Sequence, residues 1–492
     1  MSGRAVTTFC AAAALALLGG CGLLDARYQQ PQLPVSDAWP LPPNGAASAG
    51  AAPGGTDAVG GAVTAAAADI GWRDFFVDAQ LQQLIALALA NNRDLRIAVL
   101  NIDKARAQYG VQRAQRLPAI NATGTYSQQK AYVPRDPSVV GNPPYPTSKA
   151  AAADLGVAAF ELDLFGRVQS LGRSARQQYL ATEEARRSAQ LSLIAEVANL
   201  YLTLAADREL QELAAQTLHN QEEFFRVTQQ KHELGAVSGL DLAQAQTTVE
   251  AARVDAARYA GNVALDLDAF TPLIGTTPDA ALLPGHLAAS VTGLGPLPAG
   301  LPSGVLLRRP DILQAEHVLR AANASIGAAR AAFLPAITLT GAVGTASGEL
   351  GGLFKPGNET WSFTPQVNVP IFQGGRLLAN LGGAHADQRI AIARYEQAIQ
   401  VGFREVADAL ALSQTLAEQL AAQEQLAQAA ARAYQLSDER YRAGRDSYLT
   451  LLDAQRSDYA ARQALIATRR AQQSNRVTLY KVLGGGWHER SP

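Results

Sequence analysis

The side chains that most often carry out chemistry in proteins are few and scattered in this chain. Its 492 residues include six histidines and two cysteines. The histidines do not form an HExxH metal motif, and His385 and Asp387 are two positions apart, which points them to different sides of a helix. The sequence contains no GxSxG motif, P-loop or dinucleotide fingerprint. It therefore predicts neither an enzyme nor a metal or cofactor site.

One cysteine lies where covalent modification is expected. Arg4 supplies a positive charge near the N-terminus, and residues 11–18 form an apolar run that is too short to span a bilayer. The run ends in Leu18-Gly19-Gly20-Cys21, which resembles the lipobox of bacterial lipoproteins. That resemblance implies a signal peptide at 1–20 and a covalent lipid on Cys21. The alternative is an ordinary secretory signal with a chance cysteine, which the residue types and their position disfavour.

The tract after this cysteine has an unusual composition. Residues 21–70 are rich in Pro, Gly and Ala, with too few large apolar side chains to offset the entropy of ordering. We interpret them as a lipidated N-terminus and a tether. The formal net charge of the chain is −1, which gives no indication of a nucleic-acid partner.

The remainder of the chain contains an internal repeat. The phrase LPAINATG at 117–124 is almost repeated as LPAITLTG at 334–341. The match continues at a nearly constant offset through the pairs Gly166 and Gly375, Glu196 and Glu405, Gly235 and Gly444, and Gly275 and Gly484. We predict two equivalent halves, 71–285 and 309–485, with a linker at 286–308 and a tail at 486–492.

Each half contains a predicted β-hairpin, at 118–165 and 335–372. Along 361–372, Trp361, Phe363 and Val367 alternate with polar residues, while the partner segment LGVAAFELDLF changes phase near Ala159, which indicates a bulge. A soluble sheet with one wet face is the commoner source of such alternation. Membrane strands with lipid on one side are the other interpretation. Because four strands cannot close a barrel, that interpretation requires several chains to pool their strands.

Each half ends in a predicted helical hairpin of unusual length, at 167–270 and 375–482. Both stretches lack proline, and a continuous helix from Arg167 to His232 would be roughly 100 Å long. Glycine-containing breaks at 235–239 and 443–447 divide the hairpins. Helices of this length suggest coiled-coil packing, so we expect an α+β membrane protein with long antiparallel helical hairpins.

Four features together identify a family resemblance. They are the lipobox, the opening WRDFFVDAQLQQLIALALANNRDLRIA at 72–98, the paired LPAI phrases, and the segments LGAVSGLDLAQAQ and YRAGRDSYLTLLDAQR. Together they resemble the TolC-like outer membrane factor family, in its NodT-like lipoprotein branch, the outer-membrane channels of tripartite RND-type efflux systems. The resemblance spans about 72–484. It implies a homotrimer with a helical barrel and a twelve-stranded transmembrane β-barrel.

The same resemblance implies a periplasmic gate at the second hairpin turn. Residues matching the family motif YRxGxxxYLTLLDAQR are Tyr441, Leu449, Asp453 and Arg456. Asp453 and Arg456 are three positions apart, so they can pair along a helix or across to a neighbouring chain. A ring of carboxylates from three chains would favour cations. The alternative is an exposed surface pair without consequence.

The two hairpin turns resemble surfaces that meet a periplasmic adaptor protein. Val237, Leu240 and Tyr448 would supply apolar contact, while glycines would make the tight turns. The implied contact residues are Gly235, Val237, Leu240, Asp241, Gly444 and Tyr448. The alternative is a pair of ordinary helical turns.

The resemblance implies passive conduction of drugs or other small toxic compounds. An inner-membrane RND-type transporter and an adaptor would deliver them, and the protein would be lipid-anchored in the outer membrane and extend into the periplasm. Two alternatives remain open: a channel for type I protein secretion, and a lipid-anchored periplasmic coiled-coil scaffold without a pore. The amphipathic strands disfavour the scaffold, and the lipobox favours efflux over secretion.

Overall fold

The computed structural model describes residues 28–39, 69–130, 147–293 and 302–491. The predicted signal peptide, Cys21 and most of the 21–70 tether lie outside these ranges. The chain divides into two compact units, and each unit draws on both sequence halves. We call them the sheet unit (the described parts of Met1–Pro31, Asp103–Ala181 and Glu316–Arg394) and the helical unit (the described parts of Gln32–Ile102, Thr182–Ala315 and Tyr395–Pro492).

The same series of elements occurs twice along the chain: a helix, two strands, a helix of 67 residues and a shorter helix. In chain order the elements are α1 (Trp72–Phe75), α2 (Ala79–Asn91), α3 (Arg93–Ala114), β1 (Ile120–Lys130), β2 (Thr147–Leu162), α4 (Arg167–Glu233), α5 (Gly239–Ile274), α6 (Pro310–Ala331), β3 (Ala336–Ser347), β4 (Glu359–Asn368), α7 (Arg376–Arg442) and α8 (Tyr448–Val482).

The observed ends of one helix and one strand differ from the predicted boundaries, and a proline lies near each of them. Helix α5 continues past the expected end at 270 to Ile274 and contains Pro272 in its last turn. Gly275 ends the helix with a φ of 83°. Strand β4 ends at Asn368 rather than at 372, two residues before Pro370.

The strands form one antiparallel sheet in the order β1-β2-β3-β4. Its register sorts the side chains by polarity. One face carries two rows of cross-strand partners with mostly apolar side chains: Trp361, Val343, Leu155 and Ala122, and then Phe363, Gly341, Val157 and Ile120. The alternating rows on the opposite face are small or polar: Thr360, Gly344, Asp154 and Thr123, and then Ser362, Ala342, Gly156 and Asn121.

A bulge in β2 preserves this sorting. Val157 lies opposite Gly341, whereas Phe160 lies opposite Leu339, so β2 contains one residue more than β3 over the same span. In a regular strand Val157 and Phe160, which are three positions apart, would face opposite sides, because side chains alternate along a strand; the bulge brings them to the same side. Ala159 takes the left-handed conformation with a φ of 49°, and its N–H donates to the Thr340 hydroxyl. The predicted bulge is confirmed.

The helical unit has a continuous apolar core. Phe75 stacks on Tyr480 with ring centroids 3.8 Å apart. Leu84 and Ile85 of α2 are fully buried in the same cluster as Leu202 of α4. Helix α4 also contains a stretch long and apolar enough to cross a membrane, but 67% of that stretch is buried inside the protein. Burial of this extent is typical of a core helix.

Candidate functional site

The two helical turns, which we call the hairpin tips (residues 234–241 and 442–449), share one local design. Gly235 and Gly444 have φ values of 71° and 68°, a conformation that favours glycine. Ser238 caps α5 in a capping box with Asp241, and Ser447 caps α8 by accepting a hydrogen bond from the Thr450 amide. Three of the predicted contact residues, Gly235, Asp241 and Gly444, therefore form the turns themselves.

Tyr448 requires a correction. The sequence assigned it to an exposed contact surface, but it is only 7% exposed. Its ring stacks on Phe224 with centroids 4.8 Å apart, and Tyr441 lies against the same pair. This aromatic cluster joins residues from three different helices, a long-range contact that local periodicity does not reveal. Burial raises the pKa of the Tyr448 phenol and of the Tyr441 phenol.

The exposed apolar groups of the tips are leucines. Leu240, which the sequence predicted, is 66% exposed, and Val237 is partly exposed. Leu234 is 84% exposed and was missed by the sequence reasoning. Its position directly before Gly235 was the available signal, because a residue at the end of a helix next to a tight turn has few neighbours to cover it. The first tip therefore presents two exposed leucines.

The remaining predicted gate residues lie along one exposed stripe of α8. Leu449 is 60% exposed, and Asp453 and Arg456 are also exposed. The spacing of four and then three positions places all three on one helix face. Within the part of the chain that the structure describes, no ion pair joins Asp453 to Arg456, so both charges are free to meet groups outside their own chain.

A further ion pair at the second tip was not predicted. The Arg440 guanidinium donates two hydrogen bonds to Asp446, at 2.6 and 2.7 Å. These hydrogen bonds lower the pKa of the Asp446 carboxyl. The pair connects the end of α7 with the segment before α8, which holds the turn closed. Among the described residues no cluster of His, Cys, Asp and Glu could hold a metal ion.

Comparison with known proteins defines the class. The family model described as "Outer membrane efflux protein" matches residues 84–276 and 301–485. The chain is 48% identical over 475 residues to the "Probable efflux pump outer membrane protein TtgC" of Pseudomonas putida, covering 96% of this chain and 94% of that protein. It is 42% identical to the "Outer membrane protein OprJ" of Pseudomonas aeruginosa, covering 96% of this chain and 94% of that protein.

Solved structures give the same result. The chain resembles the open state of the Neisseria gonorrhoeae MtrE outer membrane channel with a TM-score of 0.81 and 37% identity, covering 95% of this chain and 99% of that one. The similarity to CusC has the same TM-score of 0.81, again with 37% identity, covering 94% and 100%. This chain belongs to the outer membrane efflux protein family. Membership confirms the predicted family and the prediction of a channel component rather than an enzyme.

Proposed function

We propose that this protein is the outer-membrane channel of a tripartite efflux pump and conducts small toxic organic compounds passively out of the cell. A periplasmic adaptor and an inner-membrane RND-type transporter would deliver the substrate. Relatives named for toluene, solvent and antibiotic efflux support this substrate class. They also favour efflux over type I protein secretion.

The observation that carries the proposal is the two-faced sheet. Trp361 and Phe363 are 81% and 62% exposed, although both are large and apolar, and the opposite face of the sheet is polar. Such a sheet fits lipid on one side and water on the other. Among the described residues, β1 and β4 each pair along one edge only. Because open edges are not tolerated in lipid, three copies joining their edges into a twelve-stranded barrel would satisfy them.

The N-terminal segment is consistent with a lipid anchor on Cys21. The Tyr28 hydroxyl donates to the Glu316 carboxylate at 2.9 Å, and the Arg320 guanidinium lies 5.0 Å from the centre of its ring. Seven residue steps separate Tyr28 from Cys21, a reach of about 25 Å when extended. A lipid on Cys21 would therefore be held close to the sheet unit, where a membrane is expected.

The tips fit the role of adaptor contact. Leu234 and Leu240 of the first tip are exposed and offer apolar surface at the end of the hairpin, where Gly235 and the Ser238 cap form the turn. The stripe of Leu449, Asp453 and Arg456 would line the gate, where rings of leucine and of charge from three chains narrow the bore.

Planar-bilayer recording of the purified, membrane-extracted protein tests the proposal, with oligomer mass measured in parallel. We expect a trimer with discrete conductance steps, since twelve strands leave room for a water-filled pore. A trimer with no current indicates a closed gate, which Asp453→Ala combined with Arg456→Ala should open. A monomer that gives no current in either form would overturn the channel and favour the scaffold.

A further inference from the structure

A buried arginine neutralises two carboxylates in the part of the helical unit that comes from the second half of the sequence. The Arg309 side chain is 8% exposed, and its Nη2 lies 2.7 Å from an oxygen of Asp311 and 2.7 Å from an oxygen of Glu405. Its Nη1 donates to the Val482 carbonyl at 3.0 Å. The guanidinium is therefore enclosed by two charges and the end of α8. We call this arrangement the arginine site.

The first half contains the same carboxylates without the arginine. By the repeat, Asp94 and Glu196 correspond to Asp311 and Glu405, and Asn92 corresponds to Arg309. The backbone contact is equivalent as well, since the Asn92 side-chain amide donates to the Leu273 carbonyl at 2.8 Å, and Leu273 is the counterpart of Val482. The short asparagine forms this hydrogen bond, but it brings no positive charge.

These two carboxylates line an open groove. Asp94 and Glu196 face a cavity of about 550 Å³ that is otherwise mostly apolar, with Leu95, Leu193 and Leu273 in its walls. Both carboxylates are exposed, and within the described residues neither has an ion pair. We call this cavity the acidic groove. The arginine site shows what the same pair of carboxylates binds when a partner is present, namely a guanidinium.

The repeat also indicates what should cover the groove. Ser188, Leu191 and Ser192 of α4 form one wall of the arginine site. Their counterparts on α7 are Gln397, Gln400 and Val401, and all three are exposed. Among the described residues, the acidic groove is lined by residues of the first half alone, so a second copy would have to supply the equivalent wall.

The exposed face of α7 carries a suitable cation. Arg404 is seven positions after Gln397 and three after Val401, which places all three on one face. Its side chain is 72% exposed, and its ion pair with Asp408 is long, at 4.0 Å. The chain segments 40–68 and 294–301, which lie outside the described residues, contain no Lys or Arg and cannot provide this charge.

We propose that the α7 stripe of Gln397, Val401 and Arg404 from a second copy docks into the acidic groove. The docked Arg404 guanidinium contacts Asp94 and Glu196. In the second half, Arg309 of the same chain neutralises the corresponding carboxylates; in the first half, Arg404 of the neighbouring copy takes that role. The inference rests on the homotrimer of the proposed function. It adds the residues that set which faces of the copies meet. A pair closed off from water in this way discriminates between partner surfaces far more than an exposed pair does.

Charge exchange tests the docking. Glu196→Arg and Arg404→Glu are made singly and together in the full-length protein, and trimer dissociation is followed in detergent. We expect each single variant to dissociate about tenfold faster or more, because it places like charges in a closed interface, and the double variant to return close to wild type. Arg432→Glu, an exposed arginine on the same helix, is the matched control and should leave the dissociation rate unchanged.

A measurement on the wild type removes the dependence on variants that fail to fold. Carbodiimide labelling followed by mass spectrometry compares Asp94 and Glu196 with the exposed Glu212 and Glu418 in the intact trimer and in the denatured chain. We expect protection of Asp94 and Glu196 only in the trimer. Full labelling of both in the trimer, or a double variant no better than the singles, would overturn the docking. A conducting trimer with either result leaves the proposed function standing, whereas a monomeric wild type overturns both.

Discussion

At the residue scale, the motif at the second tip contains two kinds of side chain: tyrosines that pack in the interior and charged residues that stay exposed. Tyr441 and Tyr448 form the aromatic cluster with Phe224, whereas Asp453 and Arg456 remain exposed on α8. All four belong to one motif of the sequence, but only the exposed pair is positioned to meet another chain. Among the described residues neither Asp453 nor Arg456 forms an ion pair, so the proposed gate depends on charges that are available to a neighbouring chain.

The gate proposal predicts a change in conduction. Asp453→Ala combined with Arg456→Ala removes both charges, so ionic contacts between neighbouring chains at the tip are lost and the gate loosens. We expect larger or longer conductance steps in planar bilayers, with the trimer intact. Glu424→Ala combined with Arg469→Ala is the matched control, because that exposed pair, 3.5 Å apart, links α7 to α8, the helix of the gate residues, away from the tip. Unchanged conductance in the test variant would count against the gate.

Two aspartates in the helical unit lie close enough to affect each other's titration. Burial, followed by the nearby Asp207 carboxylate, raises the pKa of Asp266 to about 6, although Arg470 partly opposes the shift. Burial also raises the pKa of Asp207. In the unfolded chain Asp266 would titrate near its ordinary value of 3.8. Between these two pKa values the folded state binds more protons, so stability falls as the pH rises through about 6.

This titration predicts the behaviour of Asp266→Asn. The neutral amide keeps the shape and removes the cost of burying a charge, so the variant should be more stable than wild type above pH 6, by about 1 kcal/mol after solvent screening. Denaturation midpoints at pH 4.5 and 7.5 measure the difference, which should shrink at the lower pH. Asp268→Asn, at an exposed position on the same helix, should show no such pattern. If the stability of Asp266→Asn changed with pH as that of the wild type does, the pH dependence could not be assigned to Asp266.

At the element scale, one extra residue in β2 decides which side chains face each side of the sheet. The bulge keeps Phe160 and Leu162 on the apolar face and leaves Glu161 on the other, where Arg167 bonds it through two nitrogens. The cost is one alanine in the left-handed conformation, about 1 kcal/mol. The sheet therefore keeps one apolar and one polar face along the whole length of β2, at the cost of one residue in an unfavourable conformation.

Ala159→Val should reverse the end of this strand, because a β-branched side chain resists the positive φ of 49° that the bulge requires and favours regular pairing of all the residues. Glu161 would turn to the apolar face and Phe160 to the polar face, and a carboxylate facing lipid opposes insertion. We expect the yield of membrane-inserted trimer, read from heat-modifiable migration, to fall by about tenfold or more. Ala159→Gly is the control, because glycine adopts the positive φ without steric cost and keeps the bulge, so its yield should match or exceed wild type. Normal insertion of Ala159→Val would contradict the prediction.

At the scale of the whole molecule, the chain has features that a second copy would complete. Among the described residues, the outer strands β1 and β4 each have one unpaired edge, the apolar face of the sheet is exposed, and the acidic groove lacks the wall that the arginine site has. Each feature costs free energy in an isolated chain in water. A trimer in a membrane would satisfy the edges by pairing, the apolar face with lipid and the groove with the neighbouring α7.

The sequence by itself determined the features that depend on neighbours along the chain. Alternation identified the strands and the phase change at Ala159, the absence of proline identified the two 67-residue helices, and glycine with serine identified the tips. These signals are local, because backbone conformation responds to residues a few positions away. The repeat strengthened these predictions, because an element that is clear in one half indicated the corresponding element in the other half.

The tertiary structure alone decided which side chains meet across long stretches of sequence. It placed Tyr448 inside an aromatic cluster rather than on a surface, and brought Asp207 to Asp266. It also enclosed Arg309 between two carboxylates, whereas the equivalent carboxylates, Asp94 and Glu196, have no ion pair among the described residues. Such contacts depend on how separate helices pack, and periodicity along one helix contains no information about the side chains that a distant helix presents to it.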